Sequence, residues 1–307
     1  MKTISTYPII MDGGMGRELQ RIGAPFRQPE WSAQALIEAP QFVSQAHEHF
    51  LAAGAEVITT NTYALVPFHI GEKRFKQAGS RLIEQAAGLA RKSANGYPGV
   101  AVAGCLPPAL GSYRPDLFSA DSARPIIDLL IQHQQPYVDF WLAETVSSIA
   151  EAELIAHSVL PTNKALWLAF TIQDEVDGEP RLRSGETVFE AVGWLDKTRL
   201  SAILFNCSCA EVMEAAITTA RKALAGLGLE QDIRLGVYAN SFLPIGDAHQ
   251  ANDGLCTLRE DLTPEAYRDF ARLWMKAGAS IIGGCCGVTP SHIQELAALK
   301  EDIRIEP

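Results

Sequence analysis

Cysteine is scarce in this chain. Six among 307 residues (Cys105, Cys207, Cys209, Cys256, Cys285 and Cys286) are too few and too unevenly placed for a disulfide framework, so each thiol is either packing or a ligand. No CxxC pair and no HExxH pattern occurs. Long apolar runs are missing too. The opening MKTISTYPIIMDGG holds one lysine and an apolar stretch too short for a signal segment, and no later run has membrane-spanning length, which predicts a cytoplasmic chain without a membrane partner. Basic residues are outnumbered, 26 against 36 acidic ones. The formal net charge of −10 argues against a nucleic-acid backbone or an anionic lipid surface as the main partner and leaves small molecules. Low-complexity segments and polar linkers are absent. What is present, 47% hydrophobic and 20% charged residues, is the composition of a folded globular protein. Composition carries no information on oligomeric state.

Short β-branched or apolar runs recur along the chain, each followed by a segment of helical character. There are eight: Ile9 to Met11, Val57 to Thr60, Val100 to Ala103, Phe140 to Ala143, Leu166 to Phe170, Ala202 to Phe205, Leu235 to Tyr238 and Ser280 to Gly283. Eight units of roughly 38 residues suit a (β/α)8 TIM barrel, the α/β fold expected here as a single domain over residues 1–307, with a doubly wound open sheet as the alternative. Thr263-Pro264 and Thr289-Pro290 read as helix starts, and Gly54 and Gly278 as helix stops. The segment PQFVSQAHEHFLAAGAEVI from Pro40 aligns without gaps to PEAYRDFARLWMKAGASII from Pro264, so one helix-loop-strand unit is used twice. That alignment sets Asn61 and Thr62 level with Cys285 and Cys286. The punctuated stretches Gly104 to Pro115 and Phe242 to Leu262 are candidate active-site loops.

The residues just past the eight strands are Asp12, Asn61, Gly104, Glu144, Thr171, Asn206-Cys207, Ala239-Asn240 and Gly284-Cys285-Cys286. In a barrel they share the C-terminal face, where chemistry is assembled. Cys207 closes strand six and Cys285 and Cys286 close strand eight, one strand apart, so three sulfurs can reach one ion. Three thiolates suit Zn²⁺, which prefers soft sulfur in a tetrahedron and keeps an open position when catalytic. The glycine-rich turn of Gly13, Gly14 and Met15 opens a helix, and its backbone N–H groups offer donors for a carboxylate. The seven histidines form no paired-ligand pattern and are expected in solvated or capping roles, with His249 the one whose loop can reach the site.

MDGGMG, ITTNTY, FWLAET, FNCS, VYANS and GGCCG, in this order over nearly the whole chain, resemble the homocysteine S-methyltransferase family. EWSAQALIEAP, from Glu30 to Pro40, resembles the branch that uses S-methylmethionine and matches the betaine-using branch less closely. The resemblance implies a (β/α)8 barrel, a zinc held by Cys207, Cys285 and Cys286, and methyl transfer from a sulfonium donor (S-methylmethionine, with S-adenosylmethionine second) to homocysteine, giving methionine. Asp12 and Glu144 match acidic positions suited to the substrate's α-ammonium, Trp31 matches an aromatic position near the donor, and Tyr63 ends the TNTY piece. Asn61, Thr171 and Asn240 are assigned to orienting ligands or loops. Cys105 and Cys209 match no zinc position and are read as structural. A metal-assisted barrel hydrolase and a non-catalytic zinc- or redox-sensing barrel remain the alternatives.

Overall fold

The computed structural model describes residues 8–174, 178–194, 200–244 and 257–305, with side chains through residue 300. Eight strands occur, one in each predicted run: β1 (Ile9–Ile10), β2 (Val57–Thr59), β3 (Ala101–Leu106), β4 (Phe140–Val146), β5 (Leu166–Phe170), β6 (Leu200–Asn206), β7 (Arg234–Tyr238) and β8 (Ile281–Ile282). All neighbouring pairs are parallel, in the order β1-β8-β7-β6-β5-β4-β3-β2. An open doubly wound sheet would leave two edges; here they meet. Met11 bridges Val57, and Glu56 N and Asp12 N donate to the carbonyls of Ile10 and Val57 at 2.8 and 2.9 Å, which closes the ring.

Successive side chains of a strand point to opposite faces. Met11, Val57, Ala103, Leu142, Ala169, Leu204, Tyr238 and Ile281 therefore fill the barrel, while Ile10, Ile58, Val102, Leu168, Ile203, Val237 and Ile282 pack against the helices. The same alternation carries Glu144 inward from Leu142, and Asn206 inward from Leu204, at the C-terminal ends.

The helices that cover the barrel form for reasons written in their spacing. In α5 (Glu72–Ala94), Phe75, Gly79, Leu82, Ile83, Ala86 and Ala90 are buried along one stripe. In α10 (Pro264–Ala277), Tyr267, Ala271 and Trp274 are buried likewise, the Thr263 side chain accepts from Ala266 N, and Gly278 at φ +128° ends the helix. α3 (Gln41–Ala52) is its counterpart in the repeat, followed by Gly54 at φ +101°. Both lead into strands, as the self-alignment predicts. One contact of α10 reaches the active end: the Tyr267 hydroxyl lies 2.8 Å from Gly283 O and 3.1 Å from Ala239 O, tying the ends of β7 and β8 together.

Candidate active site

The C-terminal mouth of the barrel opens on a cavity of about 200 Å³, lined from several strand ends at once. Three sulfurs lie in its wall. Cys207 follows β6 and is buried; Cys285 and Cys286 follow β8 and are partly open to the cavity. Cys207 Sγ stands 2.8 Å from Cys285 Sγ and 3.7 Å from Cys286 Sγ, and all three lie within 4.8 Å of one another. Hydrogen bonds to its two neighbours, together with burial, push the Cys285 thiol well above the ordinary range. The Cys207 thiol is raised as well, so these two resist ionisation unless a cation joins them.

Close backbone approach makes the cluster possible. A Cβ at Gly284 would come within 2.0 Å of Val288 Cγ1, and one at Gly13 within 2.7 Å of Phe50 Cε1. Side chains are excluded there by packing. Elsewhere the backbone is strained. Trp31 (φ +49°), Tyr113 (+62°), Thr145 (+60°) and Cys207 (+52°) all occupy the left-handed region and all line this cavity. Such a conformation costs on the order of 1–3 kcal/mol per residue and persists only where the surroundings hold it. For β-branched Thr145 the holder is visible: Asn206 Oδ1 accepts from Thr145 N at 2.9 Å, and Asn206 Nδ2 donates to Thr145 Oγ1 at 3.0 Å. The same Nδ2 lies 4.0 Å from Cys285 Sγ, so one amide links the strained turn to the thiols.

Two carboxylates face the same space. Asp12 is buried, and accepts from Thr59 N at 2.7 Å and Thr59 Oγ1 at 3.1 Å. Burial pushes its pKa up to about 7, against the Thr59 hydrogen bonds and helped by the charge of Glu144. Glu144 is likewise pushed up to about 7 by burial, although bonds from Cys105 and Tyr238 oppose the rise; the Tyr238 hydroxyl is 3.5 Å away. Neither carboxylate has an ion-pair partner among the described residues. Two carboxyl groups without an ion pair thus face one cavity, whose lining also includes Arg17.

An aromatic wall stands beside them. Phe26 and Trp31 meet edge to face at 5.9 Å, and Tyr63 donates to or accepts from Ser112 Oγ at 2.6 Å. Asn61 Nδ2 donates to Ser32 O at 3.2 Å, which holds the Trp31–Ser32 segment at the rim.

Of the predicted site residues, Asp12, Gly13, Gly14, Met15, Trp31, Asn61, Tyr63, Glu144, Cys207, Cys285 and Cys286 line this one cavity. Thr171 and Asn240 do not. The Thr171 hydroxyl is turned to Ser208 Oγ at 3.2 Å, and Asn240 Oδ1 accepts from Phe242 N, so each shapes a loop behind the cavity. The glycine turn also differs from expectation. Gly14 N donates to Val288 O at 2.9 Å and is spent on packing, while the N–H groups of Gly13 and Met15 make no hydrogen bond among the described residues.

Cys105 and Cys209 lie outside the sulfur cluster, Cys105 against Glu144 and Cys209 Sγ 3.9 Å from Phe242 O. The histidines are not uniformly solvated: His47 is fully buried, and His69 lines the cavity. His249 and Cys256 fall outside the described residues. Sequence reasoning also missed Tyr113, Thr59, Thr145 and Tyr238. Their signal was positional: Tyr113 stands in a loop already flagged, and the other three at strand ends.

The donor set suits a thiophilic metal. A zinc tetrahedron with Zn–S bonds of about 2.3 Å has S–S edges of about 3.8 Å, close to the Cys207–Cys286 separation of 3.7 Å. Cys207 and Cys285 would part by about 1 Å to match that edge. Among the described residues this is the one cluster of three such ligands. The sequence model of the homocysteine S-methyltransferase family matches residues 9–299. The chain belongs to that family, and is a methyltransferase. Similar proteins include the homocysteine S-methyltransferase YbgG of Bacillus subtilis, 27% identical over 98% of this chain and 97% of that one. A homocysteine S-methyltransferase of Escherichia coli is 28% identical over 94% of each chain. The crystal structure of the homocysteine methyltransferase MmuM from Escherichia coli in its metallated form superposes with a TM-score of 0.74 at 26% identity, covering 96% of this chain and 97% of that one.

Proposed function

We propose that this chain, acting as one barrel domain over residues 1–307, transfers a methyl group from S-methylmethionine to homocysteine, giving methionine, with zinc held by Cys207, Cys285 and Cys286. S-adenosylmethionine is the second donor. The observation that carries this reading is the convergence of three sulfurs within 4.8 Å, from segments 78 residues apart, on a cavity that also holds unpaired carboxylates and an aromatic wall. A free thiol is only a few per cent ionised at neutral pH, and zinc, when bound, deprotonates a coordinated thiol, so that homocysteine presents a thiolate.

The chain's own residues do the rest. Asp12 and Glu144 attract the α-ammonium of homocysteine, and the free N–H groups of Gly13 and Met15 at the start of α1 (Met15–Arg21) receive its carboxylate. Trp31 and Tyr63 face the sulfonium, whose positive charge an aromatic surface attracts without offering a competing nucleophile. In the transfer, the donor's S–CH₃ bond breaks with its electron pair staying on the donor sulfur, and a bond forms from the methyl carbon to the homocysteine sulfur. With S-methylmethionine both products are methionine, and the thiol proton is released. The reacting sulfur must lie in line with the leaving one, which is what two fixed sub-sites on rigid strand ends accomplish. The expected partners are these small molecules, and the expected compartment is the cytoplasm; no helix among the described residues is long and apolar enough to cross a membrane.

The test offers zinc-loaded protein homocysteine with S-methylmethionine, S-adenosylmethionine or betaine and measures methionine. Product with the sulfonium donors is expected, fastest with S-methylmethionine. No methionine from any donor at full zinc occupancy would refute the activity, and product without zinc after chelation would refute the metal's role.

A further inference from the structure

His69 has no part in the steps above, yet its surroundings single it out. It lies on the short helix α4 (Pro67–Ile70), is 5% exposed, and lines the cavity with its ring set against Tyr63 (centroids 6.4 Å apart) and edge-on to Phe68 (5.0 Å). Its Nδ1 stands 3.2 Å from Pro29 O. A carbonyl only accepts, so Nδ1 carries the proton and Nε2 of the neutral ring is a bare acceptor. The ring is held neutral by burial, which pushes its pKa down to about 4. Nε2 has no partner among the described residues and is not sealed within protein, which leaves it open to the cavity.

Two α-amino acids bound side by side bring two ammonium groups into one small space. Asp12 and Glu144 serve the one beside the sulfur cluster. The second needs an acceptor on the aromatic wall, and His69 abuts Tyr63 there while its anchor Pro29 lies two residues before Trp31. We infer that His69 determines donor specificity: its Nε2 accepts an N–H from the α-ammonium group of an amino-acid sulfonium donor. A quaternary ammonium donor has no N–H to give and gains nothing from this contact. The inference rests on the donor reading proposed above.

The probes are S-methylmethionine and 4-(dimethylsulfonio)butanoate, which keeps the sulfonium and carboxylate and lacks only the amino group. Each is measured at saturating homocysteine, as substrate or as competitive inhibitor. The wild type is expected to prefer the amino compound about tenfold or more, the range of a hydrogen bond to a charged group. His69→Phe should bring that ratio near one through the S-methylmethionine KM, with the homocysteine KM unchanged. His69→Gln, whose amide both donates to Pro29 and accepts from an ammonium, should keep most of the preference. Equal use of both probes by the wild type overturns the inference, as does an unaltered preference in His69→Phe or an equal loss for both probes in it. An active wild type with an insensitive variant sinks only the role of His69, whereas a wild type that makes no methionine from S-methylmethionine sinks the donor reading beneath it.

Discussion

The two ends of the barrel treat their charges in opposite ways. At the N-terminal end, Asp139 accepts from Arg91 at 2.8 Å and from Val102 N at 2.7 Å, Glu56 pairs with Lys300 and accepts from Ile10 N, and Arg234 donates to Ser280 O at 2.9 Å. Every one of these groups has its partner. At the C-terminal mouth, Asp12 and Glu144 have no ion-pair partner among the described residues, three thiols crowd together, and four residues sit in left-handed backbone. One end pairs its charges within the fold; the other presents them to a cavity. Stability and function are thus assigned to opposite faces of the same strands.

The largest expected effect breaks the mouth outright. Alanine at Cys207, Cys285 or Cys286 should abolish both bound zinc, read by elemental analysis, and methionine formation, while Cys105→Ala and Cys209→Ala keep the metal. Full zinc in Cys286→Ala would remove it from the ligand set. Next, Asp12→Asn should raise the homocysteine KM about tenfold or more, since a charge-assisted contact is lost. Its melting temperature should stay level or rise at pH 8. The sign follows from Asp12 standing near 7 in the fold against 3.8 in the unfolded chain. The unfolded state ionises first, so stability falls as pH climbs from about 4 to 7, by about 4 kcal/mol at most, and the asparagine variant should flatten that fall. Ligand binding runs the other way. Methionine, which has an ammonium and no thiol to titrate, should bind more tightly at pH 8 than at pH 6 in calorimetry, because only ionised Asp12 and Glu144 attract it.

The complementary change at the N-terminal end is smaller. Asp139→Asn should lower stability by about 1 kcal/mol in denaturant melts and leave both KM values alone, as befits a part-exposed pair. A shifted KM would show that the two ends are coupled. Of similar size in stability, Tyr267→Phe removes the clamp between Ala239 and Gly283 and should cost about 1 kcal/mol. Zinc affinity should fall by about tenfold, the low end for groups that act behind the ligands. A clamp that serves only packing would lower the melting temperature and leave zinc affinity untouched.

Much of this site was legible in the linear chain. The alternation of apolar runs located all eight strands, and the residue after each strand led to Asp12, Glu144, Cys207, Cys285 and Cys286, because a strand's direction and parity survive translation into structure. Thr171 and Asn240 were legible only as neighbours of the site, and Gly14 as part of its lining whose N–H is already spent. Whether a backbone N–H or a hydroxyl reaches a ligand depends on partners such as Val288 and Ser208, which come from other parts of the chain. Tyr113 and Thr145 were marked in the sequence only by position, and His69 not at all. Their roles come from backbone strain and from a carbonyl that selects a tautomer, and neither is encoded in residue type.

The chain itself determined the barrel, its polarity and the chemical character of its open end, since periodicity and residue identity are local properties that hold wherever a segment lands. Only the closed tertiary structure decided which sulfurs meet, which carboxylates go without an ion pair among the described residues and which imidazole nitrogen faces the cavity. Those outcomes depend on distances between segments far apart in the chain, 79 residues for Cys207 and Cys286, and such distances exist only once the ring of strands has shut.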